Sequence, residues 1–150
     1  MYMRIKTFNE RINFTQKIAV FAGSFDPFHQ GHKSLIDRFL PLFDKIIIAV
    51  GINENKKGHY TIDERKEIIR KIYEGNPKIG IESYEGMTVD FCKRVGASYM
   101  LRGMRDTKDF EFEKYVDHYN KNLKPEIETI YMIASPDVEN ISSTQIRKKL

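Results

Sequence analysis

Hydrophobic positions along this chain follow two alternating rhythms. Five short runs are rich in apolar and β-branched residues: KIAVFA (17–22), KIIIAVGI (45–52), KIGIESY (78–84), SYMLR (98–102) and ETIYMIA (128–134). The first two are nearly all apolar, as in strands buried on both faces of a parallel sheet. Between the runs, apolar residues recur at helical spacing. Residues 31–43 align Leu35, Ile36, Phe39 and Leu42/Phe43 on one stripe, with Pro41 predicting a kink or an end. Residues 61–73 open with Thr61 and Glu64 at capping-box spacing and carry Ile68, Ile69 and Ile72 on their apolar side. Residues 88–95 hold Val89, Phe91 and Val95 and stop at Gly96. Residues 107–123 predict a longer helix with Phe110, Phe112, Tyr115, Val116 and Tyr119, read as core or interface. The last segment, SSTQIRKKL, begins with a serine cap and ends in cations, which suits the helix dipole.

Strand–helix alternation repeated five times predicts an α/β fold. It is a Rossmann-like, doubly wound, five-stranded parallel sheet with right-handed crossovers and helices on both faces. In such sheets ligands bind beyond the carboxyl ends of the strands. The segments found there are GSFDPFHQGH, NENKK, EGMT, RGMR and SPDVENISST. Glycines, cations and small hydroxyls gather where the fold places its site.

In the first of these segments, Gly23 allows a tight turn. Ser24 and the following amide, that of Phe25, can point donors into the crevice. Gly31 stands at a helix start, where a larger residue would block a phosphate. Helix N-terminal N–H groups bind anions, and His32 adds a donor at the same spot. Each residue also has a plain structural role available. The histidines could be surface residues or caps, and Lys56 and Lys57 solvated loop residues. Arg102 and Arg105 could pair with Asp106 or Asp109, and Glu113 could lie on an exposed helix face. Ser142, Ser143 and Thr144 could be an ordinary N-cap. A zinc site lacks a matching Cys/His pair elsewhere. Convergence favours function: these residues follow strands that a parallel sheet brings together.

Bulk properties narrow the class. A chain of 150 residues suits one domain, expected over 17–150. Residues 1–16, MYMRIKTFNERINFTQ, lack an apolar h-region and read as an extension without assigned function. The formal net charge of +4 is mild and spread out, and it fits anionic small molecules. It is the sole ground for a nucleic-acid partner, so none is expected. No run is long enough to span a bilayer, so no membrane partner is expected either. Cys92 is the one cysteine, which rules out an internal disulfide; it reads as a half-buried apolar side chain. These features predict a cytoplasmic protein.

GSFDPFHQGH resembles the first signature of the nucleotidylyltransferase superfamily, and ISSTQIR resembles the second. GINENK, TIDERKEIIRKIY, TVDFCKRVGA and above all LRGMRDTKDFEFE resemble the phosphopantetheine adenylyltransferase family. The similarity runs from Lys17 to the end of the chain. It implies transfer of AMP from ATP to 4′-phosphopantetheine by in-line attack on the α-phosphate, giving dephospho-CoA and pyrophosphate in coenzyme A biosynthesis. It implies catalytic roles for His32, Lys56 and Arg105. It implies ATP contacts from Ser24, Phe25, His32, Gly103, Met104, Arg105, Glu113 and the stretch Val138, Glu139, Asn140, Ile141, Ser142, Ser143 and Thr144. Ser24, Lys56, Thr88 and Arg102 fall on acceptor-binding positions. Mg²⁺ is the implied companion of ATP, with no dedicated protein metal site, and the assembly implied is a homo-oligomer, typically a hexamer.

The sequence departs from the family pattern in three places. His29 stands where the family often has Thr or Ser. Paired histidines, and ISST in place of ISSS, are more usual in relatives that make NAD precursors or cytidylyl products. A nicotinate or nicotinamide mononucleotide adenylyltransferase therefore stays open, as do a cytidylyltransferase and a non-catalytic nucleotide-binding relative. The chain also stops soon after the second signature, at Leu150, and residues 1–16 have no counterpart in the family core.

Overall fold

The apolar runs form the sheet that their composition predicts. The computed structural model describes residues 16–150; all of the expected extension but Gln16 lies outside the described residues. Strands β1 (Ile18–Gly23), β2 (Lys45–Gly51), β3 (Ile79–Tyr84), β4 (Tyr99–Met104) and β5 (Glu128–Ile133) alternate with helices. These are α1 (Gln30–Phe39), α2 (Ile62–Ile72), α3 (Thr88–Arg94), α4 (Thr107–Leu123) and α5 (Ser143–Lys148). All strand pairs are parallel, in the order β3-β2-β1-β4-β5. The chain winds outward from β1 to β3, then crosses back to β4 beside β1. The order therefore reverses between β1 and β4, which opens a crevice at their carboxyl ends.

Side chains alternate between two cores. Ala19, Phe21, Ile46, Ile48 and Leu101 pack on one face with Ile36 and Phe39 of α1 and Ile69 of α2. Val20, Ile47, Ala49 and Met100 pack on the other with Val89, Phe91 and Cys92 of α3. Burial on both faces explains why β1 and β2 read as continuous apolar runs. Cys92 is fully buried, not half-buried, and burial pushes its thiol up to about 12.

Three stripes differ from expectation, and in the one on α2 Ile72 is 38% exposed while Ile69 is buried. Leu42 is 56% exposed, because Pro41 ends α1 at Phe39 and turns Leu40–Leu42 into a 3-10 turn. The tighter turn shifts the phase of the stripe, so Phe43 stays buried and Leu42 does not. The core reading of the 107–123 aromatics is also corrected. Phe110, Phe112, Tyr115 and Tyr119 are each at least half exposed, and Glu113 is the residue α4 buries. Phe112, Tyr115, Tyr119 and Leu123 follow helical spacing and form an outward-facing stripe. Among the described residues, no helix is long and apolar enough to cross a membrane.

Truncating a fully buried side chain leaves a cavity that packing cannot refill. Phe39→Ala should destabilise by about 3–5 kcal/mol, and Leu42→Ala by no more than about 0.5 kcal/mol, in urea unfolding at neutral pH.

Candidate active site

The switch point carries two adjoining cavities. A cleft of about 330 Å³ lies at the ends of β1 and β4, lined by Gly23, Ser24, His29, Gly31, His32, Arg102, Gly103, Arg105, Val138 and Ser142 among others. A narrower slot of about 170 Å³ opens on the other face, between Val20, Ala22 and Met100 and the side of α4. Tyr84, Thr88, Phe112, Glu113, Asn120 and Tyr131 line it. Arg102 borders both. A third, open hollow holds Lys56 and Lys57 with Ser24, Asp26, Arg65 and Arg147.

The two histidines are the N-terminal cap of α1, a role their spacing hides because histidine is an uncommon cap. Gly31 N–H donates to His29 Nδ1 at 3.0 Å, and His29 N–H donates to His32 Nδ1 at 3.1 Å. The rings stack with centroids 3.7 Å apart. An acceptor Nδ1 in a neutral imidazole places the proton on Nε2. Both rings therefore keep an Nε2–H donor. Burial, helped by neighbouring His29, pushes His32 down to about 3. Burial and the Arg105 charge lower His29 as well. His32 is thus a neutral donor at physiological pH, not an acid and not a base.

This cap changes the reading of Gly31. Its N–H is taken by the His29 ring and is not left for an anion. A Cβ at Gly31 would stand 2.8 Å from His29 Cε1, so the glycine makes room for the ring. Phe25 has its ring in the core, which leaves its amide as the group to face the crevice. Its ring is 2% exposed, stacked on Phe21 and edge-on to His32 at 4.9 Å, so only its backbone can meet a ligand. Its φ of 49° lies in the left-handed region, which costs a bulky residue about 1–3 kcal/mol.

Neighbouring segments over-determine that turn. Asp26 accepts from His59 N–H and Tyr60 N–H, both at 2.8 Å. Burial raises its carboxyl, but these bonds, with Arg65 and Arg147, outweigh it and hold it below the ordinary value. Arg147 Nη1 donates to Asp26 O, and Ser143 Oγ donates to Pro27 O. Ser142 Oγ caps α5 by accepting from Gln145 N–H. Thr144 Oγ1 accepts from Arg147 Nη2 at 3.1 Å, so all three small hydroxyls in this segment serve the architecture.

Each arginine has its own acid. Arg105 Nε meets Asp109 Oδ2 at 3.1 Å, the surface pair anticipated, while its side chain also borders the cleft. Arg102 pairs with Glu113, not with Asp106 or Asp109: Nη2 lies 2.7 Å and Nε 3.1 Å from Oε1. Glu113 is 5% exposed, so it does not lie on an exposed helix face, and it lines the slot rather than the cleft. It lies in the slot and orients Arg102. Thr88, bonded through its hydroxyl to Tyr84 OH at 2.7 Å, lines the same slot. Gly103 and Met104 belong to β4 itself, and Gly103 borders the cleft where a Cβ would collide with Leu35. Val138, Ile141, Ser142 and Ser143 border the cleft; Met104, Glu139, Asn140 and Thr144 lie outside its lining. Tyr84, Asn120 and Tyr131 were missed, because no local pattern marks residues that meet only across strands.

Parallel strands whose order reverses beside a turn of paired neutral donors, with arginines facing it, build a site suited to an anionic ligand. The family described as cytidylyltransferase-like matches residues 20–149. A phosphopantetheine adenylyltransferase of Flavobacterium psychrophilum is 45% identical over 129 residues, covering 86% of this chain and 85% of that protein. One from Bacteroides thetaiotaomicron is 44% identical over 132 residues, covering 88% and 87%. The chain belongs to the phosphopantetheine adenylyltransferase family. In fold it also resembles a bifunctional NMN adenylyltransferase/ADP ribose pyrophosphatase from Francisella tularensis. There the TM-score is 0.68 at 21% identity, covering 90% of this chain and 42% of that one.

Because both histidines bind protons more weakly folded than unfolded, acid favours the unfolded chain. Their contribution to stability should be complete above pH 6.5 and decline as pH falls toward about 3. Urea midpoints measured across this range should fall, and His32→Asn should make the fall shallower. Nitrogen-15 NMR should find His32 protonated at Nε2 and bare at Nδ1 from about pH 5 to about 9.

Proposed function

We propose that the chain transfers AMP from ATP to 4′-phosphopantetheine, releasing pyrophosphate and forming dephospho-CoA. The observation that carries this is Arg102 standing between two cavities: a cleft bordered by histidines and arginines, suited to a polyphosphate, and a slot suited to a slender arm. ATP occupies the cleft, with its phosphates near His32, His29, Arg105, the Ser24–Phe25 backbone and Val138, Ile141, Ser142 and Ser143. Gly103 supports the nucleoside. The arm of the acceptor enters the slot past Thr88, and its phosphate reaches Arg102, Ser24 and Lys56.

The attacking phosphate monoester has a second pKa of about 6 and is largely a dianion at neutral pH, so no general base is needed. The enzyme's work is to align two anions and to hold charge growing on the α-phosphate. A neutral Nε2–H donor does this without adding a proton to the reaction. Arg105 and Lys56 offset the repulsion between the partners. ATP serves as its magnesium complex. Self-association through the aromatic stripe of α4, with Phe112, Tyr115 and Tyr119 at its centre, fits a homo-oligomer, a hexamer by family. The cytoplasm is the compartment where this reaction is read to occur, with neither nucleic acid nor membrane as a partner.

A pyrophosphate-release assay with ATP and a panel of acceptors decides the substrate. Turnover confined to nicotinate or nicotinamide mononucleotide would replace this reading. His32→Ala should lower kcat by about 10²–10³-fold while ATP affinity stays nearly unchanged. A loss confined to KM would contradict the donor role. Glu113→Gln should raise the acceptor's KM more than that of ATP, because it loosens Arg102, read here as an acceptor-phosphate contact, and Glu113 itself does not line the cleft.

A further inference from the structure

Asp26 and Arg65 are buried charged side chains that the chemistry above does not use, with side-chain exposures of 9% and 8%. Their contacts all cross between segments. Arg65, in the first turn of α2, donates from Nε to Tyr60 O at 2.9 Å and from Nη1 to Ser24 O at 3.2 Å. Its Nε also lies 3.4 Å from Asp26 Oδ1. Asp26 in turn holds the N–H groups of His59 and Tyr60. The first phosphate turn and the far end of the β2–α2 loop are thus bolted to the same ion pair.

Lys56 sits on that loop, three residues before His59. The near end is held by Ile52 N–H on Tyr84 O at 2.8 Å. Between the anchors the chain makes a short turn, with Asn55 N–H on Asn53 Oδ1 and Lys56 N–H on Asn53 O. Gly58 passes directly over the guanidinium, where a Cβ would collide with Arg65 Nη2 and stand 2.9 Å from Asp26 Oδ2. A glycine is needed here for close approach, since its φ is not in the left-handed region. A buried ion pair adds little net stability compared with apolar packing, but it fixes geometry strictly.

We propose that Asp26, Arg65 and Gly58 form a positioning clamp that holds Lys56 at a set place relative to the Ser24–His32 turn. None of the three lines the cleft or the slot; they border the hollow that holds Lys56. This rests on the reading of Lys56 as a cation for the acceptor phosphate. Misplacing such a group by about 1 Å can cost about 100-fold in rate. The clamp therefore couples two loops that must present Lys56 and His32 to the same phosphate.

Arg65→Lys keeps the charge but cannot span Tyr60 O, Ser24 O and Asp26 together. Gly58→Ala attacks the same contact from the loop side, should Arg65→Lys fold poorly. The assay compares kcat, both KM values and the rate of tryptic cleavage after Lys56 and Lys57 in the native protein, with Lys56→Ala and the Lys56→Ala/Arg65→Lys double variant alongside. Arg65→Lys should lower kcat at least about tenfold, leave the KM of ATP unchanged and speed cleavage. In the double variant kcat should match Lys56→Ala alone within about twofold, because the clamp acts through Lys56. Multiplicative losses would overturn that route, and unchanged cleavage would overturn the clamp itself. Full kcat in Lys56→Ala would instead sink the assignment of Lys56 and the catalytic consequence drawn from it. The cleavage rates would still decide whether the clamp holds the loop.

Discussion

The Asp26 carboxylate is the point on which the rest of the site depends. It is buried in the first turn, takes two N–H groups from a loop more than thirty residues away, and lies against the Arg65 guanidinium. Removing one partner of such a pair leaves an uncompensated buried charge, at a cost of about 3–5 kcal/mol. The network also lets Phe25 keep a backbone angle that a bulky residue would otherwise avoid. Because Arg147 and Ser143 bond to the backbone of the same turn, the end of the chain joins the start of the site.

Held in this way, the turn can present its histidines with little freedom. Each ring accepts a backbone N–H at Nδ1 and keeps a donor at Nε2. The polarity of the helix N-terminus is thus passed through imidazoles, which reach further than a backbone amide can. Low local polarity keeps the rings neutral, and a neutral donor suits a reaction whose nucleophile arrives already deprotonated. His29 began as a departure from the family pattern. It is the cap of α1 and the stacking partner of His32.

Electrostatics around the cleft follow one rule. Arg102 is oriented by Glu113 and Arg105 by Asp109, so neither side chain needs to search for its position when a phosphate arrives. Preorganised charge of this kind stabilises a transition state without reorganisation at the moment of reaction. The same pairing explains how a chain with a net charge of only +4 can gather cations at one crevice.

Much of this was legible in the chain itself. Apolar runs and helical spacing determined five strands and the helices between them, since burial on both faces demands unbroken apolar residues. Thr61 and Glu64 determined a cap because the capping box is local, and both of its bonds form. Short-range periodicity could also mark the histidine turn and the strand-end cations as a site. It could not say that Leu42 would turn outward, because Pro41 changes the helical pitch after the stripe is set. It could not pair Arg102 with Glu113 eleven residues on, nor Asp26 with Arg65, since those contacts depend on where strands and helices lie in space. Nor could it tell a histidine that binds phosphate from one that caps a helix, because tautomer and burial arise only when the turn closes against its neighbours. Sequence determined which groups would gather at the strand ends. Tertiary packing decided which of them face the cleft, which face the slot, and which are buried to hold the others in place.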